Sequence, residues 1–286
     1  MLIAITGANG HFGKTLVELC RKENHEVRAI DYYKTAKDGN EPFLKTDVTD
    51  LGSVVSAFHG CEAVIHLAAF PAPNHHSDAT VYHNNTIGSY NILLACELLG
   101  IEKICMASSI NAIGGVYSRK PIYDYFPVDE QHKTYNEDPY SLSKWILEHQ
   151  GDCFARRRST VSISSMRFHW IQRREFVLPH SDNEASRKNL WAYSDPVSSA
   201  KACLLSLNVK WKGHEAFFIV APKTASEIPS QKLHEEFYPD VELRKPFDGF
   251  EAFYNSSKAE DLLDWKHEDH SWPIHTEGPI VKIKPL

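Results

Sequence analysis

The stretch Gly7-Ala8-Asn9-Gly10-His11-Phe12-Gly13 decides the fold. It follows Leu2-Ile3-Ala4-Ile5, an apolar run that reads as a buried strand, and leads into an amphipathic helical pattern around Lys14–Lys22. A dinucleotide needs three glycines at such a strand-to-helix turn. The first makes the turn tight, the second lets backbone approach the pyrophosphate, and the third lets helix pack on strand. The helix N-terminus then offers N–H groups and a positive dipole end to the phosphates. Asp31 closes the next apolar run, Val27–Ile30, 18 residues after Gly13, where a carboxylate binds a ribose 2′-hydroxyl. Turn and aspartate together predict a dinucleotide-binding α/β domain over residues 1–167. A carboxylate at Asp31 repels a 2′-phosphate, which favours NAD; Arg28 and Lys34 lie close by and keep NADP as the alternative.

Outward from the turn, strand and helix patterns alternate. Pro42–Lys45 reads as a short third strand, and Asp50 caps a helix over Leu51–Phe58. Ala63–Leu67 and Lys103–Ala107 are apolar runs of strand length, and Thr80–Leu99 between them carries a long helical pattern. Such repeats predict a Rossmann-type, doubly wound parallel sheet covered on both faces. A turn-rich segment follows, Asn111–Asp138, with five aromatic residues; a loop this long in a compact domain is usually functional. Its aromatic part, Tyr117–Phe126, suits either a flat apolar substrate or a small core of the loop's own. A helix from Pro139 to Phe154 and a strand over Thr160–Arg167 come next. The alternation then degrades. Gln172–Lys188 is polar and irregular, Pro196–Leu207 helical, Glu215–Val220 a strand, Glu227–Phe237 and Ser256–Leu263 helices. Residues 168–286 are therefore expected to form a small substrate-binding part packed on the first, with some segments returning to the sheet.

The remaining features narrow the class. Thirty-one Lys and Arg against 37 Asp and Glu give a net charge of −6, which argues against a general electrostatic grip on nucleic acid. Arg156-Arg157-Arg158 and Arg173-Arg174 read as solvated surface. No run approaches the ~20 apolar residues that span a membrane. Six scattered cysteines without a CxxC pair fit a reducing, cytoplasmic setting. His75-His76 and His83 lack the helical spacing of a zinc site, so no metal is expected.

Read as a whole, the chain resembles the extended short-chain dehydrogenase/reductase family, its NAD-dependent epimerase/dehydratase group. The glycine spacing Gly7-x-x-Gly10-x-x-Gly13 is that family's. Asp47-Val48 sits where the family contacts the adenine ring. His66-Leu67-Ala68-Ala69 is similar to its fourth-strand signature, Asn85-x-x-Gly88-x-x-Asn91 to its long helix, and Ser108-Ser109 to the end of its fifth strand. Tyr140-Ser141-Leu142-Ser143-Lys144 resembles its catalytic helix, and Ser257-Lys258-Ala259 with Leu262-Leu263-Asp264-Trp265 its C-terminal pattern. The resemblance implies that Gly7, Asn9, Gly10, His11, Phe12, Gly13, Asp31, Asp47, Val48, Leu67, Ala68, Ala69, Asn85, Tyr140 and Lys144 meet the cofactor. It also implies a homodimer formed through the two long helices.

The motif Tyr-x-x-x-Lys occurs three times, as Tyr33/Lys37, Tyr140/Lys144 and Tyr254/Lys258. Position selects the middle pair. Only Tyr140 begins a helix after the fifth strand, behind a serine pair and a long loop, which places it at the carboxyl ends of the strands. A phenol is a poor base at neutral pH, but an ammonium one turn away and a cationic nicotinamide ring both favour the phenolate. Tyr140 can then exchange a proton with a substrate hydroxyl or carbonyl. The resemblance implies that Lys144 also holds the nicotinamide ribose and that Ser109 steadies the reacting oxygen.

Departures from the family bear on the substrate. Ser109 is followed by Ile110-Asn111, not the Asp-Glu pair of sugar-nucleotide dehydratases. Arg167-Phe168-His169-Trp170 lacks the asparagine with which epimerases of the group contact the diphosphate. A smaller substrate is expected, and uronate and related sugar dehydrogenases are the most similar members. Asn111 and Arg187 are candidate substrate ligands, Arg187 because a planar donor fork suits a carboxylate. The expected activity is NAD(P)-dependent hydride transfer to or from a small sugar, sugar acid or other hydroxyl or carbonyl compound. The alternatives are a sugar epimerase with tightly held NAD and a non-catalytic dinucleotide-binding sensor.

Overall fold

The computed structural model describes residues 1–33, 43–178 and 183–270. The first strand, β1 (Leu2–Thr6), hands over at Gly7 to α1 (His11–Lys22). This helix begins three residues earlier than the amphipathic pattern suggests. Gly10 is its N-cap, so Gly13 sits inside the first turn, packed against the strand exit. Next come β2 (Glu26–Asp31), β3 (Leu44–Lys45), α2 (Leu51–Phe58) and β4 (Ala63–His66). Asp50 caps α2 as expected, accepting the Gly52 N–H at 2.9 Å. The long helix α3 (Asp78–Leu99) starts behind Ser77, whose hydroxyl accepts the Thr80 N–H, and stops at Gly100 in the left-handed region. It is followed by β5 (Lys103–Ser109), β6 (Tyr125–Phe126), α4 (Pro139–Arg157) and β7 (Ser162–Phe168).

The expected third strand survives only as Leu44–Lys45; of the remaining positions, 42 lies outside the described residues. Gln172–Lys188 contains two short helices, α5 (Arg174–Val177) and α6 (Glu184–Lys188). The chain closes with α7 (Pro196–Ser206), β8 (Gly213–Ile219), α8 (Ser230–Phe237), β9 (Glu242–Leu243) and α9 (Ser257–Leu263). The eighth helix starts three residues later than its pattern, because Pro229 stands at its N-cap.

Seven strands form one parallel sheet in the order β3-β2-β1-β4-β5-β7-β8. The order reverses between β1 and β4, so a crevice opens there at the carboxyl ends of the strands, the place where such sheets take ligands. One apolar layer joins α1, α7 and α9 to a sheet face through Leu16, Cys203, Leu263 and Trp265; the other joins α2, α3 and α4 through Phe58, Ile92 and Phe154. A third cluster lies under the C-terminal part. It takes Tyr123 and Phe126 from the long loop and packs them on Trp191, Phe247 and Phe253. Most of the loop's aromatics thus close a core, and Tyr117 alone of the five lines the cleft. Strand β8 pairs with β7 at the sheet edge, while β6 and β9 form a separate two-stranded pair.

Candidate active site

The glycine turn is a steric necessity. Gly7 has φ +69°, and a Cβ there would stand 2.8 Å from the Ala68 nitrogen at the end of β4. A Cβ on Gly13 would fall 2.1 Å from the Gly7 carbonyl oxygen. The Thr6 hydroxyl ties the two strand exits together, accepting from the Leu67 and Ala68 N–H groups at 3.2 and 3.3 Å and lying 2.8 Å from His66 Nδ1. Asp31 accepts the Asn9 N–H on Oδ2 at 2.9 Å and the Tyr32 N–H on Oδ1 at 2.7 Å. Arg28, near in sequence, turns away and donates to the carbonyls of Ala57 and His59; Lys34 and Lys37 lie outside the described residues.

A cleft of about 1500 Å³ follows this crevice across the sheet. Gly7, Asn9, Gly10, His11, Phe12, Gly13, Asp31, Asp47, Val48, Leu67, Ala68 and Ala69 line one half, and Ser109, Asn111, Tyr140 and Lys144 the other. Asn85 does not line it. Its amide clamps the Phe70 backbone, donating to the carbonyl at 3.1 Å and accepting the N–H at 2.8 Å, and also donates to Ser143 on α4. The rest of its motif is likewise architectural. A Cβ on Gly88 would meet Val48 at 2.9 Å, and Asn91 donates to the Val48 and Thr49 carbonyls. Arg187 is also off the cleft, its guanidinium lying 4.4 Å over the Phe237 ring.

At the cleft floor, Asp138 caps α4 by accepting the Ser141 N–H, which sets Tyr140 in the first turn. The Tyr140 hydroxyl lies beside Ser109 at the end of β5. Burial pushes the phenol up to about 12, while the Ser109 contact works in the opposite sense. The expected phenolate requires, besides Lys144, the positive nicotinamide ring beside it. Lys144 Nζ is committed to the Ala107 carbonyl at 2.6 Å and stands 5.7 Å from the Tyr140 ring centre. Burial lowers Lys144 to about 8, with Glu148 acting to raise it. Tyr140 is therefore a proton-bearing acid across the neutral range, and a positive charge brought beside its ring favours release of that proton. Asn111 braces Ser109 through its backbone N–H (3.1 Å) and side-chain amide (3.4 Å). Of the other Tyr-x-x-x-Lys pairs, Tyr254 is buried in the third core cluster and Lys258 pairs with Glu215 at 2.7 Å, away from the cleft.

Four consecutive residues after β7 were not among the expected ligands, yet His169, Trp170, Ile171 and Gln172 all line the cleft. Their signal was available. They directly follow the carboxyl end of a central strand, where a doubly wound sheet places its ligands.

The model of the NAD-dependent epimerase/dehydratase family matches residues 3–188. The chain belongs to that family. It is accordingly an enzyme of the short-chain dehydrogenase/reductase type, acting as an NAD(P)-dependent oxidoreductase or epimerase. Among its relatives is the Methanocaldococcus jannaschii protein named "Putative UDP-glucose 4-epimerase", 32% identical with 93% of each chain covered. Another is the L-arabinose 1-dehydrogenase (NAD(P)(+)) of Haloferax volcanii, 28% identical over 64% of this chain and 72% of that one. A solved short-chain dehydrogenase/reductase superfamily protein from Agrobacterium tumefaciens, with bound NAD, shares the fold at a TM-score of 0.71. It is 18% identical, with 96% of this chain and 94% of that one covered. The residues of this member fit the family's cofactor. The glycine cradle leaves no room for a Cβ, and a carboxylate closes β2 beside it.

Proposed function

We propose that the protein is an NAD-dependent dehydrogenase of a small sugar or related hydroxyl compound. The observation that carries this reading is the meeting of Ser109, Tyr140 and Lys144, from β5 and α4, on the floor of one cleft that begins at the glycine turn. The Gly7–Gly13 turn would hold the pyrophosphate, Asp31 the adenosine ribose, Asp47 and Val48 the adenine, and Lys144 the nicotinamide ribose. Bound NAD supplies the hydride acceptor. Tyr140 would first release its own proton to solvent when a positive charge comes beside its ring and would then take that of the substrate hydroxyl, while Ser109 would steady the oxygen by hydrogen bonding, a positioned-donor role that gains strength in a site from which water is excluded. Asp31 disfavours a 2′-phosphate, which supports NAD over NADP.

The protein incubated with NAD and a panel of sugars and alcohols should generate NADH in bulk, followed at 340 nm. The Methanocaldococcus relative's name favours a second reading, epimerisation, in which no net NADH forms. Equilibration of a sugar pair without NADH release would establish that reading instead. We also infer a homodimer through α3 and α4. Tyr82, Ile87, Tyr90 and Leu98 of α3 remain exposed in the single chain, and sedimentation of Tyr90→Glu against the parent tests it. Among the described residues no helix is long and apolar enough to cross a membrane.

A further inference from the structure

The half of the cleft beyond Tyr140 has a chemical character of its own. Trp170 lines it and is 50% exposed, and Phe70 and Tyr117 are among the other aromatic residues that line the cleft. The Trp170 backbone is pinned at both ends. Its N–H donates to His169 Nδ1 at 2.6 Å, and its carbonyl accepts the Ser194 N–H at 3.1 Å. His169 in turn directs Nε2 at the Asn189 carbonyl, 3.0 Å away, so both ring nitrogens are committed; burial lowers the ring to about 4, and it is neutral. Two amides, Asn111 and Gln172, line the cleft as well. Asn111 is oriented by the Val116 N–H on its Oδ1, which turns its Nδ2 toward Ser109 and the reacting position. Gln172 accepts the Arg173 N–H on Oε1, which leaves its amide as the donor end.

Full charges are few in the cleft. Among the described lining residues the carboxylates are Asp31 and Asp47 at the adenosine end, and the one ammonium is Lys144, bound to the Ala107 carbonyl. No arginine is among the described residues that line the cleft. Arg167 is paired with Glu148 behind the cleft, Arg173 with Glu175 at 3.0 Å, and Arg187 lies on Phe237. A carboxylate or diphosphate brought beside Trp170 would lose its water without gaining an arginine partner among the described lining residues, which is unfavourable. A neutral ring with hydroxyls meets the opposite situation. Its C–H face packs on an indole and its hydroxyls exchange water for amide hydrogen bonds.

We propose that the substrate is an uncharged polyhydroxy compound, a free aldose or polyol, whose ring or chain packs on Trp170. The inference deepens the dehydrogenase reading and rests on it for turnover, though not for binding. Two measurements separate the two. Calorimetric titration in the presence of NAD compares D-galactose with D-galacturonate, D-glucose with D-glucuronate, and D-glucose with UDP-glucose; NADH formation is followed on the same set and on L-arabinose. At least tenfold preference for the neutral member of a pair is expected in both. In Trp170→Ala the KM for the neutral sugar should rise at least tenfold, with kcat within threefold and the Kd for NAD unchanged, and Trp170→Phe should restore most of the loss. Tighter binding of the uronate or UDP-sugar, or no binding of any neutral sugar, overturns the inference. So does a Trp170→Ala protein with parental KM. Neutral-sugar binding without NADH from any compound leaves the inference standing and removes the dehydrogenase reading.

Discussion

Glu148 stands one helical turn beyond Lys144 on α4, and its carboxylate accepts both Nε and Nη2 of Arg167 from β7, at 2.9 and 2.7 Å. Ser108 adds its hydroxyl to the same Oε1 at 2.5 Å. This buried cluster ties β5, α4 and β7 together directly behind Ser109 and Lys144. The groups that bear on Lys144 are Glu148, which raises its pKa, and His66, which burial holds neutral at about 3; Tyr140 lies alongside, and Glu130 faces Arg167 from beyond.

Lys144 therefore carries its charge below about pH 8 and loses it above. Turnover is expected to fall along an alkaline limb near that value, and Glu148→Gln should move the limb to lower pH. Stability responds with the opposite sign. The folded value lies below the ordinary 10.5, so the unfolded chain binds more protons between about 8 and 10.5, and this residue makes stability rise with pH across that window. The buried cysteines and tyrosines, whose values are raised, act in the opposite sense in both proteins, so the test is the difference: the urea midpoint of the parent should gain on that of Lys144→Met as the pH goes from 8 to 10.5.

The Glu148–Arg167 pair also makes a prediction for the fold. Removing one partner of a buried pair leaves the other charge without compensation, at a cost of about 3–5 kcal/mol. Glu148→Ala should lose that much in urea unfolding. The double variant Glu148→Leu/Arg167→Met, in which no charge is stranded, should recover most of it.

Tyr140→Phe removes the proton-bearing oxygen and little else, since the ring is buried and keeps its edge contact with Tyr117 at 5.7 Å. Loss of a general acid–base group typically costs about 10²–10⁴ in rate. A kcat reduced by that factor, with NAD affinity unchanged by calorimetry, is the expected result. A variant with parental turnover would remove Tyr140 from the chemistry.

What could be read in advance was whatever depends on local sequence. The turn at Gly7–Gly13, the Asp50 cap and the strand-then-helix placement of Ser109 and Tyr140 each follow from residues within a few positions of one another. Features decided by distant packing were not legible. Asn85 bears a family motif, but whether its amide meets a ligand or clamps the Phe70 backbone depends on where α3 lies against the exit of β4. Arg187 has the right chemistry for a carboxylate, yet α6 turns its guanidinium onto Phe237 of α8, some fifty residues on. The charge on Tyr140 likewise depends on its tertiary surroundings: burial raises the phenol and the Ser109 contact lowers it.

Asp31 has two consequences that one variant separates. Its carboxylate orders the turn by accepting from Asn9 and Tyr32, and it presents negative charge where a 2′-phosphate would stand. Two like charges about 4 Å apart repel by roughly 1–4 kcal/mol between bulk water and a protein surface. Asp31→Asn should raise the ratio of kcat/KM with NADP to that with NAD by about tenfold or more, since each 1.4 kcal/mol is a factor of ten. Absolute efficiency with NAD should fall as the turn loosens. An unchanged ratio would mean that Asp31 shapes the turn without selecting the cofactor.

Gly13 and Gly52 offer a matched pair of glycine-to-alanine changes near helix starts. At Gly13 the new methyl would lie 2.1 Å from the Gly7 carbonyl oxygen and 2.8 Å from the Ala8 carbonyl. Both obstacles are backbone, so the turn that cradles the pyrophosphate must open. Overpacking of this kind costs about 1–3 kcal/mol, and Gly13→Ala should lower the melting temperature and weaken NAD binding at least about tenfold. At Gly52 the nearest atom is the Asp50 side-chain oxygen at 3.4 Å, an ordinary contact. Alanine is favoured over glycine in a helix by about 0.5–1 kcal/mol, so Gly52→Ala should raise the melting temperature and leave NAD binding untouched. Equal behaviour of the two variants in calorimetry would show that glycine at position 13 serves the helix alone and not the cofactor.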